Sequence, residues 1–182
     1  MLKYVLLGFL NYTPMTGYEL KQFMDESTSN FWHAKQSQIY TTLKKLEKDG
    51  MVESHIEEQE GRPDRRVYEI TDAGRNDLDE WLALPETELE ARKETLLVKL
   101  FFSANVDKGK LLTQLRLLRD LHQRQMEHYE TETCNFIQQV ASGMPQFDKD
   151  AELWDTTRRF GVLFEEMYVR WLDETIEKIE EL

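Results

Sequence analysis

The feature that most limits how this chain folds lies between residues 36 and 70, where the spacing of apolar side chains changes period across one glycine. Ile39, Leu43 and Leu46 recur at intervals of four and three, which predicts an amphipathic helix over about 36–49. Gly50 then stands where a helix C′ residue takes the left-handed conformation. Beyond it, Met51, Val52 and Ile56 read as one short strand, and Val67, Tyr68 and Ile70 as a second. The polar run "EEQEGRPDRR" joins them, with Gly61 and Pro63 as turn signals. Upstream, Leu2, Val5, Leu6, Phe9 and Leu10 follow helical spacing, and residues 11 to 15, with Pro14, separate that helix from the next. Thr16-Gly-Tyr-Glu19 has the form of a capping box opening a second helix that buries Leu20, Phe23 and Met24. Thr71 is placed to cap a fourth helix carrying Leu78, Trp81 and Leu82. Helix, helix, helix, hairpin, helix is the order of a winged helix-turn-helix.

From Pro85 onward the reading is helical throughout. Glu90 to Ser103 holds Leu96, Leu97, Leu100 and Phe101 on one side. A longer helix, about Asp107 to Ser142, carries Leu111, Leu115, Leu118, His122, Met126, Tyr129, Phe136 and Val140, and Gly143, Met144 and Pro145 end it. The last helix, roughly Asp148 to Glu181, is expected to bury Phe160, Leu163, Phe164, Met167, Trp171, Leu172, Ile176 and Ile179. A helix of some thirty residues is about 45 Å long, more than a small compact domain spans. These two must pack on each other and on a second copy of the chain. The expected fold is therefore mainly α: a winged helix-turn-helix domain over 1–84 and a long-helix dimerisation domain over 85–182. No internal repeat or low-complexity segment is evident.

Charge enters as a difficulty. The 182 residues carry a formal net charge of −12, which argues mildly against nucleic acid, since non-specific affinity comes from basic groups meeting phosphates. Binding, however, depends on the local field rather than the sum. On a helical wheel for 36–49, Ile39, Leu43 and Leu46 form one side. Ser37, Thr41, Lys44, Lys45 and Lys48 lie opposite, flanked by Gln38 and Tyr40. That division suits a helix laid into a major groove. Ser37, Gln38 and Thr41 are the base-contact candidates with Tyr40 at the edge, and Lys44, Lys45 and Lys48 the phosphate candidates. Three lysines alone read more simply as solvated surface charge. The hairpin tip shifts that balance, because Arg62, Arg65 and Arg66 stand where a wing reaches the minor groove or flanking backbone. Asp64 and the run Glu57, Glu58, Glu60 weaken the wing's potential and restrict non-specific binding.

The first ten residues are apolar but too short to span a membrane, and they lack a small-residue cleavage site. Cys134 is the one cysteine, so no internal disulfide forms, which fits a reducing cytoplasm. On a long helix it reads as a small buried residue rather than a reactive one. The histidines, His33, His55, His122 and His128, show no Cys or carboxylate partner at a metal-ligand spacing. Neither a nucleophile elbow nor a phosphate loop nor a dinucleotide fingerprint is present. The expectation is a cytoplasmic protein with no catalytic residues, metal or cofactor.

Residues 1 to 84 resemble the PadR family of bacterial transcriptional regulators. The likeness is carried by "LLGFL", "TGYEL", "FWHAKQSQIYTTLKKLEKDGMV" and "GRPDRRVYEITDAGRNDLDEWL". The second half is similar to the longer PadR subfamily, whose helical C-terminal domain dimerises. The chain departs from the family pattern at Asp64, where a further basic residue is frequent, and at Thr41 and Thr42, where a Pro often follows the Tyr. The resemblance implies a homodimer that binds an inverted repeat in double-stranded DNA, usually to repress, with some members released by small aromatic molecules. An effector cleft between the halves would draw on Tyr18, Trp32 and His33, with Trp154 and Tyr168 from the helical half. Lys35 and Arg92 are candidates to meet a carboxylate. The competing reading of these aromatics is core and interface packing. The competing functional class is a winged-helix protein-interaction module acting through the acidic helical half.

Overall fold

The computed structural model describes residues 1–28, 31–58, 61, 63–88, 93–143 and 145–182. The chain divides into two compact units, Met1–Leu89 and Glu90–Leu182.

In the first unit, α1 (Leu2–Tyr12) leads through β1 (Met15–Thr16) to α2 (Gly17–Ser27) and α3 (Gln36–Lys48). The hairpin β2 (Val52–Glu57) and β3 (Arg65–Ile70) follows, then α4 (Asp72–Ala83). The expected caps are in place. Thr16 Oγ1 accepts from the Glu19 N–H at 3.2 Å while Glu19 Oε2 accepts from the Thr16 N–H at 2.8 Å, closing the box that opens α2. Thr71 Oγ1 accepts from the Gly74 N–H at the start of α4. At the end of α3, Gly50 has φ +72. Its N–H bonds the Glu47 carbonyl at 3.1 Å, and the Met51 N–H bonds the Leu46 carbonyl at 2.9 Å, which is a Schellman closure.

The sheet is antiparallel in the order β1-β3-β2. Its third strand is a correction: residues 11 to 15 were expected only to separate two helices, yet Met15 pairs with Tyr68 and Thr16 with Val67. Two residues carry no alternation for a sequence pattern to reveal. Leu6, Leu7, Leu10, Leu20, Met24, Ile39, Leu43, Leu46, Val52, Tyr68, Ile70 and Leu78 form the core. Burying each of the larger of these side chains contributes about 1.5–3 kcal/mol. Tyr4 stacks on Trp81 at 4.3 Å between ring centroids, tying α1 to α4. Leu82, expected on the buried side, is exposed.

In the second unit the short α5 (Thr95–Phe101) precedes α6 (Lys108–His128), α7 (Cys134–Gly143) and α8 (Asp148–Glu181). The expected start of a helix at Glu90 lies outside the described residues, as does Met144. Only Leu96 of α5 is buried; Leu97 and Phe101 face outward rather than sharing its side. The single helix expected from 107 to 142 is interrupted by a π-helical segment, Tyr129–Thr133. A wider turn re-phases the buried face. Tyr129, Thr133 and Ile137 go inward, while Phe136 and Val140, which a continuous 3.6 period would bury, are only half-buried.

Helix α8 has 34 residues and packs along α6. Leu115, Tyr168, Leu172 and Ile179 make the interior. His122 stacks on Tyr168 at 3.9 Å and pairs with the buried Glu165 carboxylate, a partner 43 positions along the chain. Phe160, Leu163 and Met167 do not join this core. They are 60 %, 47 % and 43 % exposed, on a second face of α8 turned away from α6. The sequence pattern marks both faces as apolar without ordering them. No helix among the described residues is long and apolar enough to cross a membrane.

Candidate nucleic-acid interface

Helix α3 is divided as its sequence demands. Ile39 and Leu43 are fully buried and Leu46 nearly so, which fixes the helix against α1 and α2. That leaves Ser37, Gln38, Tyr40, Thr41, Lys44, Lys45 and Lys48 exposed together on the other side. Two lysines, Lys45 and Lys48, lie in the last turn, where their charge also suits the helix dipole.

The helix N-terminus is held by one of its own candidate contacts. Gln38 Oε1 accepts from the Lys35 N–H at 2.8 Å, so the amide is oriented before any partner arrives. Hydroxyl groups behave likewise: Thr41 Oγ1 donates to the Ser37 carbonyl and Thr42 Oγ1 to the Gln38 carbonyl, each at 2.8 Å. A shallow recess lined by Leu2, Ser37, Gln38, Thr41 and Thr42 opens beside them. Tyr40 lies across the start of α2. A Cβ built on Gly17 would stand 2.6 Å from Tyr40 Cε1, so glycine at 17 gives the ring its seat.

Of the wing arginines expected at the minor groove or flanking backbone, Arg62 lies outside the described residues. Arg65 and Arg66 both have partners within the fold. Arg65 lies 3.5 Å from Glu19 Oε1 of α2 and 3.5 Å from Glu57 Oε2 of β2. Arg66 donates from Nη2 to both Glu47 oxygens of α3, at 2.8 and 2.9 Å, and from Nε to Ser54 Oγ at 2.8 Å. Ser54 Oγ in turn donates to Glu47 Oε1 at 2.5 Å. The Ser54 hydrogen bond, then Arg66, holds the Glu47 carboxyl below its ordinary range against some desolvation. The sequence marks neither Glu47 nor Ser54, and marks Glu19 only as the partner in the capping box. Its available signal was that Glu47 is the one acid in "QSQIYTTLKKLEK".

The effector candidates divide between the units. Tyr18 and His33 are exposed, and Lys35 is exposed at the α3 N-cap. Trp32 is half-buried against the core of the first unit, and its Nε1 has no hydrogen-bond partner among the described residues. Arg92 lies outside the described residues. In the second unit Trp154 is half-buried, its ring 6.0 Å from that of Phe147. Tyr168, the other effector-pocket candidate there, is interior, between His122 and Trp171. His128 also finds a carboxylate, with Nδ1 2.9 Å from Glu132 Oε2. Among the described residues no three His, Cys, Asp or Glu side chains converge as a metal site.

Comparison with known proteins adds to this geometry. Residues 6–80 match the model of the transcriptional regulator PadR-like family. Residues 92–180 match the model described as virulence activator alpha C-term. The probable transcriptional regulator Rv1176c of Mycobacterium tuberculosis is 31% identical over 190 residues, covering 99% of this chain and 98% of that protein. The negative transcriptional regulator PadR of Bacillus subtilis is 33% identical over 102 residues, 56% of each. The structure of Bacillus subtilis PadR in complex with operator DNA aligns with a TM-score of 0.79 and 26% identity over 98% of both chains. The same protein in complex with p-coumaric acid aligns at 0.74 and 23% identity over 98% of both chains, a likeness that speaks for the fold.

Proposed function

Because the chain belongs to the PadR-like family of transcriptional regulators, we propose that it is a homodimeric repressor that lays one α3 helix into each half of an inverted-repeat operator. The family consists of DNA-binding regulators rather than enzymes. The observation that carries the reading is the exposed face of α3, with Ser37, Gln38, Tyr40, Thr41, Lys44, Lys45 and Lys48 set on a helix whose other face is fully buried. Ser37, Gln38 and Thr41 read base edges; with Oε1 engaged by the Lys35 N–H, Gln38 presents its amide N–H donors. Lys44, Lys45 and Lys48 meet phosphates, and Arg62 is a further candidate from the sequence alone.

Dimerisation belongs to the helical unit. Phe160, Leu163 and Met167 with Leu117 and Leu121 are large apolar side chains left exposed, the kind of surface that, where contiguous, marks an association site. A second copy covers it and brings the second half-site. The division of labour follows: residues 1–84 contact DNA in the cytoplasm, and residues 85–182 pair the copies. Control by a small aromatic molecule is part of the same reading. Trp32, whose Nε1 has no partner among the described residues, and the exposed Tyr18 and His33 are the residues of the first unit to vary.

Selection of bound fragments from genomic DNA, followed by footprinting, tests the reading. It predicts two protected half-sites whose centres lie about one helical turn, or a multiple, apart. Lys45→Ala or Lys48→Ala should weaken binding to all sequences alike and reduce the log–log salt slope by about one unit. Gln38→Ala or Thr41→Ala should instead change preference at one position by about 1–3 kcal/mol. Protection of one unrepeated half-site by a monomer would refute the dimeric assignment, and loss of reporter expression on deleting the gene would make the protein an activator.

A further inference from the structure

Helix α3 turns toward DNA, by the reading above, with one carboxylate on it. Glu47 sits between Lys45 and Lys48, where it opposes phosphate and dilutes their field. The structure answers it with Arg66, whose Nη2 is shared between the two Glu47 oxygens in a charge-assisted contact while Nε turns to Ser54. Ser54 closes a triangle between them. The guanidinium also lies over the ring of Tyr68, 5.5 Å from its centroid, and Tyr68 is buried in the core. The members come from three parts of the recognition unit: Glu47 from α3, Ser54 from β2, and Arg66 and Tyr68 from β3.

Adjacent residues on a strand point to opposite faces. Arg66 therefore reaches α3 while Arg65 reaches Glu19 of α2, so the base of the wing is tied to both helices of the helix-turn-helix. Glu19 is at the same time the Thr16 capping partner, which makes that tie rigid at its helix end.

We propose that Glu47, Ser54 and Arg66 form a clamp that sets the angle of the wing against the recognition helix, so that Arg66 is a positioning residue and not a phosphate contact. The proposal rests on the operator-binding reading given above. Since the Glu47 and Arg66 side chains are 30% and 50% exposed, the pair adds little to global stability. Its value lies in orientation: two DNA-contacting elements bind as one rigid surface only if their relative angle is fixed beforehand. The clamp also cancels the charge of Glu47, so that Lys44, Lys45 and Lys48 act undiluted.

Charge and clamp predict opposite results for one substitution. Removing a negative charge from a DNA-facing helix should tighten binding by electrostatics alone. If the clamp operates, Glu47→Gln in the full-length protein weakens it. The probe is a duplex recovered by selection from genomic DNA, with a scrambled duplex of equal length beside it. Glu47→Gln and Arg66→Gln should each weaken binding to the selected duplex by about 5–30-fold, and the double variant no further than the worse single, since both break one coupled unit. The log–log salt slope should stay at the wild-type value in all three. Ser54→Ala, which alters no charge, should weaken binding in the same direction by a smaller factor. Melting temperatures measured alongside should stay near wild type, which separates misplacement of the wing from unfolding. Unchanged or tighter binding by Glu47→Gln overturns the proposal. So does a salt slope reduced by about one unit in Arg66→Gln, which marks a phosphate contact. Wild-type protein that retains neither duplex overturns the operator reading itself, and the clamp with it.

Discussion

Replacing Gly74 by alanine should cost the first unit more than any other single methyl group added at its glycines. Gly74 lies in the first turn of α4, against the residue that leads into the wing. A Cβ there would stand 2.1 Å from the Met51 carbonyl oxygen and 2.9 Å from Ile70 Cγ1. A carbon approaches a carbonyl oxygen to about 3.3 Å, so roughly 1.2 Å must open. The obstacle is backbone, not a side chain that can swing aside. That backbone is held in place, because the Thr71 N–H bonds the Met51 carbonyl at 3.1 Å and Thr71 Oγ1 donates to the Gly50 carbonyl at 2.7 Å. Overpacking costs about 1–3 kcal/mol, and straining the Thr71–Met51 hydrogen bond adds about 0.5–1.5 kcal/mol. Alanine returns at most about 1 kcal/mol of helix propensity. A net loss of about 1–4 kcal/mol should lower the melting temperature of a unit this size by about 5–25 °C. Thermal unfolding of the full chain followed by circular dichroism reads it. Gly8→Ala is the control: it lies inside α1 with nothing within 4 Å of the added carbon, and it should stabilise by about 0.5–1 kcal/mol. If Gly74→Ala melts within about 2 °C of wild type, the steric account of this turn is wrong.

Gly17→Ala should behave differently, because the group it displaces is the Tyr40 ring, 38% exposed and able to swing. Operator affinity should fall by about tenfold, or 1.4 kcal/mol, with little change in melting; unaltered affinity would free Tyr40 from any role in positioning. If the chain dimerises as proposed, Phe160→Asp with Leu163→Asp should leave a folded monomer in sedimentation, and a dimer that persists would place the interface elsewhere. Acid should loosen the first unit below the ordinary carboxylate value of 4.5. Burial raises the Glu19 carboxyl but its Thr16 hydrogen bonds and Arg65 outweigh that, and the Ser54 bond and Arg66 lower Glu47. Groups depressed on folding stabilise above their unfolded value, and that contribution drains away as pH falls through the folded one. Glu19→Gln with Glu47→Gln should therefore flatten the melting-temperature profile between about pH 5 and pH 2, and an unchanged profile would refute the assignment.

The elements legible in the sequence are those whose cause lies within a few residues. Thr16 and Glu19 cap α2 because each reaches the other's backbone three positions away. Gly50 ends α3 because only its lack of a Cβ makes φ +72 inexpensive. The two faces of α3 follow from a 3.6-residue period, which placed the candidate DNA surface from spacing alone. Tertiary structure decided whatever depends on a distant partner. Strand β1 exists only because the second edge of β3 offers Tyr68 and Val67 to Met15 and Thr16. Both faces of α8 are apolar in sequence, and the packing of α6 chose Val169 and Leu172 for the interior while leaving Phe160 and Leu163 outside. The π-helical turn at Tyr129–Thr133 moved the buried face of α7 by an amount no fixed period contains. Arg66 likewise reads as a free wing cation until the hairpin folds back and sets it against Glu47, 19 residues earlier. A periodic pattern states which side of a helix is apolar, but only the assembled chain determines what that side, or a charge beside it, will meet.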